Sequence, residues 1–139
     1  MILYLDTSSL VKLYVEETGS KEVKKLVEAA QIVSTSRIAY VEAIAGVARK
    51  LREGELNKEE CGQIVKDLER DWESYFIIEV SEAVTKLAVD LINRHPLRGF
   101  DAIHLASGLL LKRRTKLNVS FSCFDKTLKE AAGAEGLSI

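Results

Sequence analysis

The first dozen residues constrain this chain more than any other stretch. Ile2 to Leu5 is a short apolar run in which Ile2 and Tyr4 have high strand propensity. The run stops at Asp6, then Thr7, Ser8 and Ser9 follow, and helical spacing begins with Leu10, Val11 and Leu13 to Val15. An apolar run of this length reads as a strand buried on both faces. A strand that ends in an acid and passes at once into a helix is half of a βαβ unit. Ligands of open parallel sheets gather at the carboxyl ends of the strands, which is where Asp6 would stand. The same position also suits a plain N-cap, because βα loops commonly close on Asp, Ser or Thr. Asp6 alone does not separate a cap from a catalytic carboxylate.

The rest of the chain repeats this alternation. Ser20 is placed to cap a helix over Lys21 to Ala30, with Val23, Leu26 and Val27 on one face. Ile32 and Val33 mark a strand within 31–35, and Ser36 is placed to cap a helix that runs to Arg52 and ends near Gly54. Asn57 and Glu60 form a capping-box pattern for a helix from Lys58 to about Tyr75, with Ile64, Val65, Leu68 and Trp72 at helical spacing. Phe76 to Val80 reads as a third strand, and Ser81 as the cap of a helix through Asn93 that His95-Pro96 stops. Leu97 to Phe100 reads as a turn, with Asp101 opening a helix to about Arg114. Val119 to Phe124 reads as a fourth strand, Asp125 to Ala132 as a last helix, and Leu137 to Ile139 as a fifth strand. Strands alternating with helices predict an α/β fold, a mainly parallel sheet of four to five strands with helices on both faces. A length of 139 residues suits a single domain over 1–139.

Composition narrows the function classes. The formal net charge is -1, so no global basic field points to nucleic acid, and such a ligand would need a local basic patch. The two cysteines, Cys61 and Cys123, have no CxxC spacing. They read as free thiols in a reducing cytoplasm. No segment has the ~18 apolar residues of a membrane span, and Asp6 interrupts the N-terminal apolar run, unlike a signal peptide.

Four acidic residues stand out. Glu42 is the only charge between Ile38 and Ala48. A helix apolar all round is mostly buried, and a buried carboxylate is costly unless paired or bound to a metal. Glu42 lies about two turns into its helix, which rules out a capping role. Asp101 precedes an apolar helix that includes Ala102, Ile103, Leu105, Ala106 and Leu109 to Leu111. Asp125 ends the fourth strand as Asp6 ends the first, and parallel strand ends lie on one edge, so the two carboxylates can converge. Several carboxylates in one pocket repel each other, and a hard divalent cation resolves the repulsion. Oxygen-only ligands favour Mg²⁺ or Mn²⁺ over zinc. His104, three residues after Asp101, reads as a core or supporting histidine rather than a base.

With these residues in view the sequence resembles a PIN domain, and in particular the small VapC-type toxins of toxin–antitoxin pairs. The match rests on Leu5-Asp6-Thr-Ser8, on Glu42, on Phe100-Asp-Ala-Ile-His-Leu-Ala106 and on Phe124-Asp125. The Asp-Ala-Ile-His-Leu-Ala block is its most specific piece, and the match covers essentially the whole chain. The resemblance implies a PIN-like three-layer α/β/α fold and a metal-dependent endoribonuclease. Asp6, Glu42, Asp101 and Asp125 would be both the catalytic residues and the ligands of one or two Mg²⁺ or Mn²⁺ ions. Ser8 would support Asp6. A small VapB-like antitoxin and a homodimer are implied as well. Cys123 departs from the pattern, since many relatives have Thr there.

Phosphodiester hydrolysis needs a nucleophile made from water and neutralisation of phosphate charge, and carboxylate-held metals supply both. The attack would leave a 5′-phosphate and a 3′-hydroxyl. Lys12, Arg49, Arg98 and Lys126 are the candidates to hold the RNA backbone. Lys112-Arg-Arg114 and Lys116 fall at the far end of their helix and complement its dipole. Two other classes compete. An aspartyl phosphatase of the haloacid-dehalogenase type would carry a second aspartate where Ser8 stands. A degenerate PIN domain that only binds a partner is opposed by the complete quartet.

Overall fold

A computed structural model describes residues 1–139. β1 (Ile2–Leu5) is followed by α1 (Thr7–Val11), α2 (Ser20–Ala29), β2 (Ile32–Ser36), α3 (Ile38–Arg52) and α4 (Lys58–Trp72). Then come β3 (Phe76–Ile78), α5 (Glu82–Arg94), α6 (Gly99–Thr115), β4 (Val119–Ser122) and α7 (Lys126–Ala134). The four strands form one sheet in the order β3-β2-β1-β4, every pair parallel. No helix is long and apolar enough to cross a membrane.

β1 is an inner strand, and all four of its residues are buried. Strand alternation splits them between the two faces. Ile2 and Tyr4 pack with α5, α6, α7 and β4 through Leu91, Leu105, Phe121 and Leu128. Leu3 and Leu5 pack on the other face against Leu10, Val23, Ala43 and Leu68. This makes a three-layer α/β/α arrangement with a core on each side of the sheet. Each fully buried leucine contributes about 2 kcal/mol from burial, so Leu105→Ala is a change that would loosen the β1–α6 layer. Leu68 of α4 belongs to the second core, and Trp72 packs against it.

Element boundaries moved where tertiary hydrogen bonds outrank local pattern. Ser20 is the first helical residue of α2, behind Gly19 at φ 97°. Its hydroxyl accepts from the Glu17 amide and donates to the Val15 carbonyl. Ser36 ends β2 and Arg37 holds the N-cap position of α3, although the Ser36 hydroxyl still accepts from the Ile38 amide. α6 begins at Gly99 instead of Asp101, because the Arg98 carbonyl accepts from the Ala102 amide. Phe100 is thus helical and Asp101 lies inside the first turn. The C-terminal strand is reduced to one parallel bridge, Ser120 to Ser138. The capping box at Asn57 and the cap at Ser81 are present as the pattern predicts.

Candidate active site

The register Leu5 to Ser122 aligns the carboxyl ends of β1 and β4, and the Asp6 amide donates to the Ser122 carbonyl at 3.1 Å. Asp6 and Asp125 therefore leave neighbouring strands on the same edge. Both do cap helices. Asp6 Oδ1 accepts from the Ser9 amide at 2.9 Å, and Asp125 Oδ1 from the Leu128 amide at 2.9 Å. In each case the second oxygen, Oδ2, accepts no protein hydrogen bond, so the cap leaves a donor atom free for chemistry.

α3 and α6 bring the other two acids. One open cleft of about 580 Å³ is lined by Asp6, Glu42, Asp101 and Asp125 together with Thr7, Ser8, Arg49 and Arg98. The four carboxylates come from four separate segments and line it as individual donors, without three of them closing into a cage. The cation that pairs with them is Arg98. Its Nε donates to Asp101 Oδ2 at 3.1 Å, and its Nη2 lies 3.8 Å from Asp125 Oδ2.

Burial sets the electrostatics. Asp6 is 5% exposed, and desolvation raises its carboxyl above the usual range against the Ser9 amide and the Ser8 hydroxyl, which stabilise the anion. Ser8 Oγ donates to Asp6 Oδ1 at 2.7 Å, so Ser8 takes the supporting position that the pattern implied. Glu42 is less buried than an all-apolar helix suggested. α3 buries Ala39, Ala43 and Val47 on one face and leaves Val41 exposed, and the Glu42 side chain keeps 26% of its surface. Desolvation pushes its carboxyl up, but donors from His104 and Thr7 outweigh burial and hold it below the ordinary value.

Those donors were only half legible. Thr7 Oγ1 donates to Glu42 Oε1 at 2.5 Å, and His104 Nε2 lies 3.0 Å from the same oxygen. His104 was readable as a supporting residue. Thr7 was visible in the Asp-Thr-Ser run, but nothing local linked it to an acid 35 positions away. Tyr4 also joins the site, with its hydroxyl 2.8 Å from His104 Nδ1. The available signal was a phenol in a fully buried strand, which must find a partner.

The four basic candidates separate. Arg49 and Arg98 line the cleft. Lys12 does not: its Nζ pairs with Glu17 at 3.1 Å and sits 4.3 Å from the centre of the Phe124 ring. Lys126 is exposed at the start of α7, away from the lining. Lys50 lines the cleft too, engaged with Glu17 and Glu55. Lys112 lies in the last turn of α6 and donates to the Gly136 carbonyl. Cys123 is buried below Asp125, and desolvation pushes its thiol up to about 12, so it is an inert neighbour at neutral pH.

The family model described as PIN domain matches residues 3–133. The chain belongs to the PIN-domain family. Ribonuclease VapC45 and ribonuclease VapC49 of Mycobacterium tuberculosis are each 38% identical to this PIN domain over 112 residues, covering 78% of it and 75% of the relative. Among solved structures, VapC20 of Mycobacterium tuberculosis, a sarcin–ricin loop cleaving toxin, superposes with a TM-score of 0.68 at 17% identity, covering 93% of this chain and 94% of its own. FitAcB from Neisseria gonorrhoeae gives 0.69 at 20% identity, covering 99% and 95%. These structural likenesses bear on the fold, and they agree with the four-stranded parallel sheet and its flanking helices.

Proposed function

We propose that this PIN domain is a metal-dependent endoribonuclease and the toxin of a type II toxin–antitoxin pair. The observation that carries the proposal is the single cleft lined by Asp6, Glu42, Asp101 and Asp125. Similarity to proteins named as VapC ribonucleases supports RNA as the substrate.

The donor set fits a hard cation. It is oxygen-only, and Asp6, Glu42, Asp101 and Asp125 each keep one oxygen without a protein hydrogen bond. These four would hold one or two Mg²⁺ or Mn²⁺ ions. When bound, a divalent cation lowers the pKa of water and neutralises charge on the phosphate. The chain does the positioning. Ser8 and the Ser9 amide fix Asp6, Thr7 and His104 fix Glu42, and the α7 cap fixes Asp125. Arg98 and Arg49 stand on the rim as cations for the RNA backbone.

A VapB-like antitoxin and a homodimer belong to the same proposal. One neighbour is described as a toxin–antitoxin complex from Klebsiella pneumoniae. Val41, Val89, Ile92 and Phe100 are exposed apolar side chains that a partner would cover. The test is cleavage of RNA by purified protein with Mg²⁺, with Mn²⁺ and with EDTA, followed by end analysis. Metal-dependent cleavage leaving 5′-phosphate ends is expected. Equal cleavage in EDTA, or 2′,3′-cyclic ends, would overturn the mechanism.

A further inference from the structure

We infer that Tyr4 and His104 form a positioning chain that holds Glu42 in metal-binding geometry by locking one histidine tautomer. This rests on the metal-dependent reading above. His104 is 2% exposed and lies in the N-terminal half of α6. Each ring nitrogen has its own polar partners. On the Nε2 side stand Glu42 Oε1 at 3.0 Å and Thr7 Oγ1 at 3.0 Å. The carboxylate only accepts, and the Thr7 hydroxyl spends its proton on the same Glu42 oxygen. Both neighbours are acceptors toward the ring, so Nε2 carries the hydrogen. On the Nδ1 side the Tyr4 hydroxyl stands at 2.8 Å. Tyr4 is fully buried, and its phenol is held well above its ordinary pKa, first by desolvation, so it keeps its proton and can donate it to Nδ1. With the Tyr4 hydroxyl donating to Nδ1 and the hydrogen on Nε2, the hydrogen bonds run in the order Tyr4 to His104 to Glu42.

The chain explains why a histidine sits among the buried residues of α6. A donor at this point holds Glu42 Oε1 and leaves Oε2 directed to other partners. Thr7 follows Asp6 directly, so the same knot ties the β1 end to α3 and α6. Partners that orient a ligating carboxylate typically change metal affinity 10–100-fold when removed. His104 and Tyr4 touch neither substrate nor metal in this scheme, and act through Glu42.

The experiment uses the full chain and two readouts. A long-range ¹H–¹⁵N spectrum of the wild type in EDTA reports the tautomers of its two histidines, His95 and His104. His104 is expected as Nε2–H, and Tyr4→Phe is expected to weaken that preference. Calorimetric titration with Mn²⁺ alone then compares His104→Gln, which keeps an amide N–H near the Nε2 position, with His104→Asn, which moves it toward Nδ1. His104→Gln should stay within a few-fold of wild type, and His104→Asn should bind roughly 10-fold more weakly or worse. A core role without positioning moves both variants alike, in step with their melting temperatures. An Nδ1–H tautomer in the wild type, or equal Mn²⁺ affinity of the Gln and Asn variants, overturns the inference alone. No Mn²⁺ binding by the wild type overturns the metal reading and this inference with it. If the variants do not fold, the wild-type tautomer decides.

Discussion

Arg98 donates from Nε to Oδ2 of Asp101 at 3.1 Å. The same guanidinium reaches toward Asp125, while its side chain remains 78% exposed. One flexible cation thus stands beside two carboxylates, and under the proposed metal-dependent function it would have to yield to a divalent ion.

Arg98→Gln should therefore tighten Mn²⁺ binding several-fold in a calorimetric titration, because competition for Asp101 and Asp125 is removed. RNA binding should move the other way. Loss of one phosphate contact reduces the slope of log affinity against log salt by about 0.7 for a single strand. Unchanged Mn²⁺ affinity together with an unchanged salt slope would make Arg98 a bystander.

Asp101→Asn tests the quartet. Asp101 lies in the first turn of α6 and caps nothing, since the N-cap residue is Arg98 and makes no side-chain cap bond. Four carboxylates lining one cleft repel each other, so neutralising one would by itself raise the metal-free melting temperature. Arg98 already offsets much of that repulsion, so the metal-free variant should melt close to wild type. Mg²⁺ should stabilise the variant much less than wild type, and cleavage should drop at least ~100-fold. Melting curves with EDTA and Mg²⁺, with one cleavage assay, check both parts.

Gly19→Ala should destabilise the protein and disturb the rim of the cleft. Gly19 has φ 97°, and a Cβ there would stand 2.7 Å from the Phe124 ring and 2.9 Å from the Lys12 side chain. Left-handed backbone costs a non-glycine residue about 1–2 kcal/mol, and the clash adds to that. Phe124 precedes Asp125, so cleavage should fall as well. A variant with wild-type melting temperature would show that the 12–19 loop can shift freely.

The pH dependence of stability should carry the mark of Glu135, far from the cleft. Arg94 donates to both of its carboxylate oxygens, and His95 Nε2 lies 2.6 Å from one of them. Arg94 first, then His95, holds the carboxyl below its ordinary range. A depressed folded value means the stabilisation is present above the unfolded carboxyl value of about 4.3 and is lost as pH falls through the lower folded one. Glu135→Gln should thus melt below wild type at pH 7, with the gap narrowing as pH falls below about 4.3. A gap that stays constant as pH falls below about 4.3 would exclude the charge as its cause.

The sequence by itself determined the alternation of strands and helices, the two-faced burial of β1, the capping box at Asn57 and the four acids, after β1 and β4, in α3 and at the start of α6. These follow from short-range rules: periodicity, cap chemistry and the cost of a charge in an apolar run. It also placed Asp6 and Asp125 on one edge, because parallel strands share a direction. Tertiary structure alone decided what those acids meet. Tyr4 and His104 lie 100 positions apart, Glu42 and His104 lie 62 apart, and no local pattern encodes such pairs. The same holds for the basic residues. Lys12 and Arg98 look alike as cations near strand ends, yet Lys12 is held by Glu17 and Phe124 while Arg98 stands over the carboxylates. Helix starts shifted at Ser20 and Ser36 because a serine hydroxyl can satisfy alternative backbone groups, and at Asp101 because the Arg98 carbonyl accepts from the Ala102 amide.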